Sequence, residues 1–253
     1  QASLELRRHV HLLAQVFVQG AADLTSQHLR EEQRRTALLL EAARAYEGLT
    51  AVYYFANEII RSLYAAFYSL NLAEAAGPAS PELARGYASV GAIMGFVPLH
   101  KVAEAYCRRA LETVKQVDNL SAQAWVSLAT GVYHASVGHW AKTRALLGQV
   151  IDISEHLGDR RRWDDGVGNL LIVNYFQGQF GRSLDLAGEL YASAGRRNDP
   201  HNQAWALRGK VYNLLPQAKF AEAMSCLEEL QSLLLKDTAI VDEALKIDLY
   251  GLL

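Results

Sequence analysis

Apolar residues recur at steps of three and four along most of the chain, the pattern of helices with one buried face. No stretch shows the strict alternation of a half-buried strand. The breaks between these stretches carry helix stop and start signals, such as Gly77 followed by Ser80 and Pro81, and Asp199 followed by Pro200. The pattern therefore predicts an all-α protein.

The apolar pattern also repeats about every 40 residues. Trp140, Phe180 and Phe220 fall at matching positions, and the tripeptide Gln-Ala-Trp occurs twice, ending at Trp125 and at Trp205. Each repeat is long enough for two helices. The sequence predicts a leading helix or helix pair in 1–35 and a repeat domain in 36–253, with units at about 36–77, 78–118, 119–158, 159–198 and 199–237 and the start of another in 238–253.

Two sets of small residues fall at recurring positions of these units. The first set is Gly91, Ala129, Asn169 and Gly209, and the second is Ala103, Ala141, Gly181 and Ala221. We expect the two helices of a pair to cross closely at these positions, and Trp125 and Trp205 to fill the gap to the next unit. One pair cannot bury its apolar face alone, whereas stacked pairs can. The expected architecture is a right-handed α-solenoid of five to six antiparallel helix pairs.

The residues Trp205, Gly209, Tyr212 and Ala221 carry a family resemblance. They match the tetratricopeptide pattern of Trp, a small residue, Tyr and then Ala in the second helix, so the chain resembles a tetratricopeptide repeat protein. The unit at 159–198 departs from this pattern, since it lacks the Trp and has Asn169 at the small site. The resemblance implies that the first helix of each pair lines a concave, peptide-binding wall.

A narrower resemblance lies in the stretches "VPLHKVAEAYCRRAL", "HLGDRRRW" and "YFQGQFGRSLDLA". They are similar to the repeat tail of large bacterial signalling proteins, which join a nucleotide-cyclase or kinase domain to an AAA-type ATPase. The resemblance implies that catalysis lies in other domains and that this chain is not itself an enzyme. Because the chain starts at Gln1 and ends inside an apolar pattern, we expect it to be a piece of a longer protein.

Composition narrows the classes of partner. Hydrophobic residues make up 51% of the chain and charged residues 21%, as in globular proteins. The formal net charge of −2 gives no general attraction to nucleic acid or to an anionic membrane, so neither is an expected partner. The only cysteines, Cys107 and Cys226, lie in apolar stretches, which predicts buried thiols in a reducing compartment such as the cytoplasm.

The sequence contains no phosphate-binding loop and no metal-ligand motif, so we expect no cofactor, no metal and no catalytic residue. The densest charge cluster is "DRRRWDD" at 159–165. It is either an anion or partner patch, or a solvated loop whose arginines pair with its own Asp159, Asp164 and Asp165. The second interpretation is favoured.

The expected concave wall supplies the candidate binding residues. Counted from the Trp position, they are Gln123, Thr130, Tyr133, His134, Asn174, Gln203, Lys210 and Asn213. Amides can hydrogen-bond a peptide backbone, and Lys210 can hold a carboxylate. The leading hypothesis is an interaction or regulatory module that binds a protein segment, or domains of its own parent chain. The alternative is a small-ligand sensor, which exposed Tyr133, Trp163 and Tyr212 would favour.

Overall fold

The computed structural model describes residues 29–236 except Phe55, Asn57, Pro78 and Pro98. The expectations for 1–28 and for the further unit at 238–253 lie outside these residues. Within them all regular elements are helical, so the all-α prediction is confirmed. The helices are α1 29–54, α2 Ile59–Ala76, α3 Pro81–Phe96, α4 His100–Val114, α5 Leu120–Ser136, α6 Trp140–Leu157, α7 Arg160–Phe176, α8 Phe180–Arg196, α9 Pro200–Leu214 and α10 Phe220–Lys236, with a 3-10 turn at Leu215–Gln217.

The helices pack in adjacent pairs. Short turns make consecutive helices antiparallel, and α3 packs on α4, α5 on α6, α7 on α8 and α9 on α10. First helices also contact the first helix of the next pair, from α3 to α5, α5 to α7 and α7 to α9. The second helices α4, α6, α8 and α10 begin at His100, Trp140, Phe180 and Phe220, one start every 40 residues.

The two kinds of helix begin differently. Four first helices start at a side chain that accepts a hydrogen bond from a backbone N–H three residues on, namely Ser80, Asn119, Asp159 and Asp199. Such a cap stabilises a helix by about 1 kcal/mol. The second helices α4, α6 and α8 start without a side-chain cap. In these pairs, the end where the first helix begins therefore has a polar capping side chain, and the end where the second helix begins has none.

The fourth residue of every second helix is small or hydroxylated and buried. These residues are Ser62, Ala103, Thr143, Ser183 and Ala223. Where the residue is serine, its hydroxyl donates to the first-helix carbonyl twelve residues earlier. Ser62 donates to Thr50 O and Ser183 to Leu171 O, each at 2.9 Å. The Thr143 hydroxyl lies 3.5 Å from the corresponding Gly131 O and closer, at 3.2 Å, to His139 O. This position, two residues beyond Ala141, Gly181 and Ala221, is where the helices of a pair come together.

The prediction that Ala141, Gly181 and Ala221 lie at close crossings is therefore wrong. All three are exposed, and a Cβ added at Gly181 would meet no atom within 4 Å. The error came from aligning Ala103, which is fully buried, with Ala141. The helix starts align Ala103 with Thr143, because each is the fourth residue of its helix. The two residue types differ, so the sequence pattern alone did not match them.

The first set of small residues does not share one environment either. A Cβ on Gly91 would lie 2.8 Å from Cys107 Sγ on α4, so this glycine does sit where a pair crosses closely. A Cβ on Gly209 would lie 2.9 Å from Leu171 Cδ1 on α7, which makes it a contact between first helices of neighbouring pairs. Ala129 is buried, whereas Asn169 is partly exposed and donates to Asp165 O of its own helix at 2.8 Å.

Candidate functional site

Aromatic and arginine side chains form a strip across the first helices. The Trp125 indole N–H on α5 donates to Ser89 Oγ on α3 at 3.0 Å. Arg162 on α7 lies over the Trp125 ring, with Cζ 4.5 Å from the ring centroid, and pairs with Asp165 at 3.0 Å. All four side chains are partly exposed. The strip thus links α3, α5 and α7 while leaving polar and aromatic surface open.

The same chemistry returns on α9. Arg208 Cζ lies 4.8 Å from the ring of Trp205 and 5.2 Å from the ring of Tyr212. Tyr212 in turn meets Tyr175 of α7, with 5.9 Å between ring centroids. We call the whole set the aromatic–arginine strip, which comprises Ser89, Trp125, Arg162, Asp165, Trp205, Arg208 and Tyr212. Trp, Tyr and Arg are the residues that most often dominate protein–protein binding energy.

Five of the residues predicted to line an open wall are buried instead, and that part of the prediction is wrong. They are Thr130, Tyr133, His134, Asn174 and Asn213, each with at most 4% of its surface exposed. Thr130, Tyr133 and Asn213 donate hydrogen bonds inside the fold, and His134 meets His139 through Nδ1, whereas neither amide atom of Asn174 has a hydrogen-bond partner among the described residues. Thr130 donates to Val126 O at 2.6 Å, Asn213 to Gly209 O at 2.7 Å, and the Tyr133 hydroxyl to His100 O at 3.2 Å. These side chains serve packing between helices.

The other three predicted wall residues are partly exposed. Lys210 Nζ lies 4.6 Å from the ring centroid of Tyr191 on α8, which orients its charge towards that helix. The Gln203 amide lies beside Gly195 at the end of α8, where an added Cβ would be 3.3 Å from Nε2. Gln123 is half-buried on α5. The Trp125 and Trp205 rings, expected only to pack, are also partly exposed and belong to the strip.

The three aromatic residues expected to favour a ligand sensor are not equivalent. Tyr133 and Trp163 are buried, and Tyr212 is partly exposed within the strip. A depression of about 330 Å³ lies elsewhere, along α4. Its lining residues are Lys101, Val102, Ala105, Tyr106 and Arg109.

His134 and His139 meet where α5 turns into α6, with 3.2 Å between their Nδ1 atoms. Burial lowers the pKa of His134 to about 4, and the nearby Lys142 and His139 act in the same direction. Burial also raises the pKa of the Cys107 thiol to about 11, so this sulfur is a protonated packing group at neutral pH. Across residues 29–236 as described, no group of three or more His, Cys, Asp or Glu side chains is arranged to hold a metal ion.

A buried carboxylate, which the sequence pattern did not predict, lies between α7, α8 and α9. Asp164 is 2% exposed, accepts a hydrogen bond from Ser193 Oγ at 3.0 Å, and pairs with Arg197. Asn202 Nδ2 lies 3.4 Å from the same carboxylate. Burial raises the pKa of Asp164, while Arg197 and Ser193 lower it in part.

The charge cluster at 159–165 is thus not a solvated loop, because all of it except Asp159 lies in α7 and both Trp163 and Asp164 are buried. It is only partly self-paired. Asp159 caps α7 and Arg162 pairs with Asp165, but the partner of Asp164 comes from 33 residues away. The sequence did hold a signal, because the positions 40 residues away from Asp164 are Ala124 and Ala204. A charged residue at a position that is alanine in neighbouring units needs a local partner.

No protein-family model matches this chain, and no curated protein matches it. Among the described helices, none combines the length and apolar character that crossing a membrane requires.

Proposed function

We propose that this chain is a non-catalytic interaction module that binds a protein segment across the aromatic–arginine strip. In this proposal the helix pairs stack into a right-handed α-solenoid of tetratricopeptide-like units, and the module serves a larger signalling protein. The partner is then another protein or a domain of the parent chain. The regular 40-residue spacing of second-helix starts and the contacts between successive first helices support such stacking.

The observation that carries the proposal is the partly exposed pairing of Trp125 with Arg162 and of Trp205 with Arg208. In each pair the ring and the guanidinium already hold one another in place. A partner would therefore meet ordered side chains and lose less conformational entropy on binding than it would against mobile arginines. Two such pairs on neighbouring helices suit an elongated partner better than a compact small molecule.

The test compares two double variants that remove the same residue type. Arg162→Ala with Arg208→Ala strips both cations from the strip. Arg108→Ala with Arg196→Ala removes two exposed arginines from the second helices α4 and α8 and is the matched control. Partners are captured from the source cells with each protein, and the captured partner is then purified and titrated by calorimetry.

We expect the strip variant to bind at least about tenfold more weakly, while the control binds like the unmodified chain. Melting curves followed by circular dichroism check that both variants are folded. Equal affinity of the strip variant, or equal loss in both variants, would exclude the strip as the binding surface.

A further inference from the structure

A second surface lies where the first helices α3, α5, α7 and α9 turn into their second helices. It comprises the described residues of 96–102, 136–142, 176–182 and 215–222, and we call it the turn edge. Large apolar side chains stand open to solvent there. Phe96, Phe176 and Phe220 are 71%, 67% and 65% exposed, and Leu99 and Leu215 are exposed beside them. These exposed side chains belong to the α3–α4, α7–α8 and α9–α10 turns, and Trp140 at the α5–α6 turn between them is partly exposed. Apolar surface that recurs in this way indicates an interaction surface.

The apolar side chains of neighbouring pairs touch. Trp140 at the start of α6 stacks near Phe176 at the end of α7, with 6.5 Å between ring centroids. Tyr175 is 6.0 Å from Phe180 at the start of α8. Arg144 of α6 also donates to the side chain of Gln177 in the following turn. The turn edge is therefore continuous from α6 to α8.

The charge of the turn edge is one-sided. Lys101, Lys142, Arg182 and Lys219 are all exposed, and Glu222 is the one acidic residue among its described positions. The opposite edge, where the first helices begin, carries charges of both signs. Its acidic residues are Glu82, Asp118, Asp159 and Asp199, and its basic residues are Lys115 and Arg160 to Arg162. The two edges would thus favour different partners.

Helix polarity adds to this positive charge. The N-termini of α4, α6 and α8 lie on the turn edge and have no side-chain cap. The positive end of each helix dipole therefore lies on the turn edge without a capping side chain, although Val102 N–H and Trp140 N–H donate to Leu99 O and Gly138 O. On the opposite edge Ser80, Asn119, Asp159 and Asp199 cap the first helices with their side chains.

We propose that the turn edge docks an acidic amphipathic helix of another protein. Its apolar side chains cover the Phe96–Phe176–Phe220 row, and its carboxylates face Lys101, Lys142, Arg182 and Lys219. Neighbouring helices pack about 10 Å apart. A partner helix that crosses them would therefore present an apolar residue to each about every seven residues. The charge complementarity selects an acidic partner. The turn edge shares no residue with the strip, although Tyr175 contacts both, and the inference does not rest on the proposed function.

The probe is a fluorescein-labelled synthetic helix of about three heptads, with Leu at the apolar heptad positions and Glu elsewhere. Binding is followed by fluorescence anisotropy at low and high salt. The test variant is Phe176→Ser with Arg182→Glu. The matched control is Leu157→Ser with Arg161→Glu on the opposite edge, where Leu157 is 45% exposed and Arg161 is exposed.

We expect the turn-edge variant to weaken binding of this peptide at least about tenfold and the control to leave it unchanged. High salt should weaken binding, and a peptide with Lys in place of Glu should not bind. Absence of binding to the acidic peptide, or equal loss in both variants, overturns the proposal. So does binding of phosphatidylserine vesicles that depends on Phe176 and Arg182 when peptide binding does not.

Discussion

The hydroxyl of Ser183 on α8 lies 2.9 Å from the carbonyl oxygen of Leu171 on α7, twelve residues earlier in the chain. Ser62 makes the same bond to Thr50, again twelve residues earlier. The bond joins the two helices of a pair at a buried position. It marks a recurring joint of the fold that also accepts alanine, as Ala103 and Ala223 show.

Ser183→Ala should destabilise the protein by about 1 kcal/mol relative to a matched serine substitution, because a buried hydrogen bond is lost. The matched control is Ser225→Ala, an exposed serine inside α10 with the same change in helix propensity. Urea unfolding of both variants measures the difference. If the two lose the same free energy, the hydroxyl bond contributes nothing to the joint.

Gly91→Ala and Gly181→Ala should act in opposite directions. The new Cβ at Gly91 would lie 2.8 Å from Cys107 Sγ and 3.1 Å from the Cys107 backbone nitrogen, so we expect a loss of about 1–3 kcal/mol. At Gly181 the Cβ meets nothing within 4 Å, and alanine should be neutral or stabilise by up to about 1 kcal/mol. Thermal melts decide the sign of each change, and a stabilising Gly91→Ala would contradict the close crossing.

The Asp164–Arg197 pair should show strong coupling in a double-mutant cycle. Arg197→Leu alone leaves a buried carboxylate without its cation and should cost about 3 kcal/mol. Adding Asp164→Ala, which restores the alanine of the neighbouring units, should recover most of that loss. Urea unfolding of the single and double variants measures the coupling. Additive effects would show that the two side chains do not depend on one another.

His134 should make the protein lose stability in acid. Its pKa falls from 6.5 to about 4 in the fold, so the native state binds the proton less well than the unfolded chain. Above pH 6.5 the titration of His134 does not lower the free energy of unfolding. As the pH falls from 6.5 towards 4, it lowers that free energy by as much as about 3 kcal/mol. His134→Leu should remove this loss, because Leu214 occupies the equivalent place in α9.

Unfolding free energies at pH 7.5 and 4.5 measure this effect, with His156→Gln as the surface control. The control should keep the pH dependence of the unmodified chain. An equally steep loss in His134→Leu would place the acid sensitivity elsewhere.

Sequence reasoning predicted the helices well because their signals are local. Ser80 and Asp199 cap helices that begin at Pro81 and Pro200, as their positions before proline indicated. A cap needs only the next three residues, so no knowledge of the neighbouring helices is required.

The site was predicted less well because side-chain direction depends on several neighbours. A first helix such as α5 contacts its own partner and the first helices on both sides, which leaves only a narrow open face. Counting from the Trp position placed Thr130 and Asn213 on an open wall, but both are buried and bond to carbonyls of their own helix. The partner of Asp164 lies 33 residues away, and no local pattern names it.

A chain of similar hairpins can assemble wrongly, because the apolar stripe of one pair can pack on the wrong neighbour. The Asp164–Arg197 pair opposes this error. It lies where α7, α8 and α9 meet, and Ala124 and Ala204 occupy the matching positions of the neighbouring first helices. Any mispaired arrangement that separates it leaves a buried carboxylate without a cation. This ion pair thus favours the correct packing of α7, α8 and α9 over packing against the similar helices of another pair.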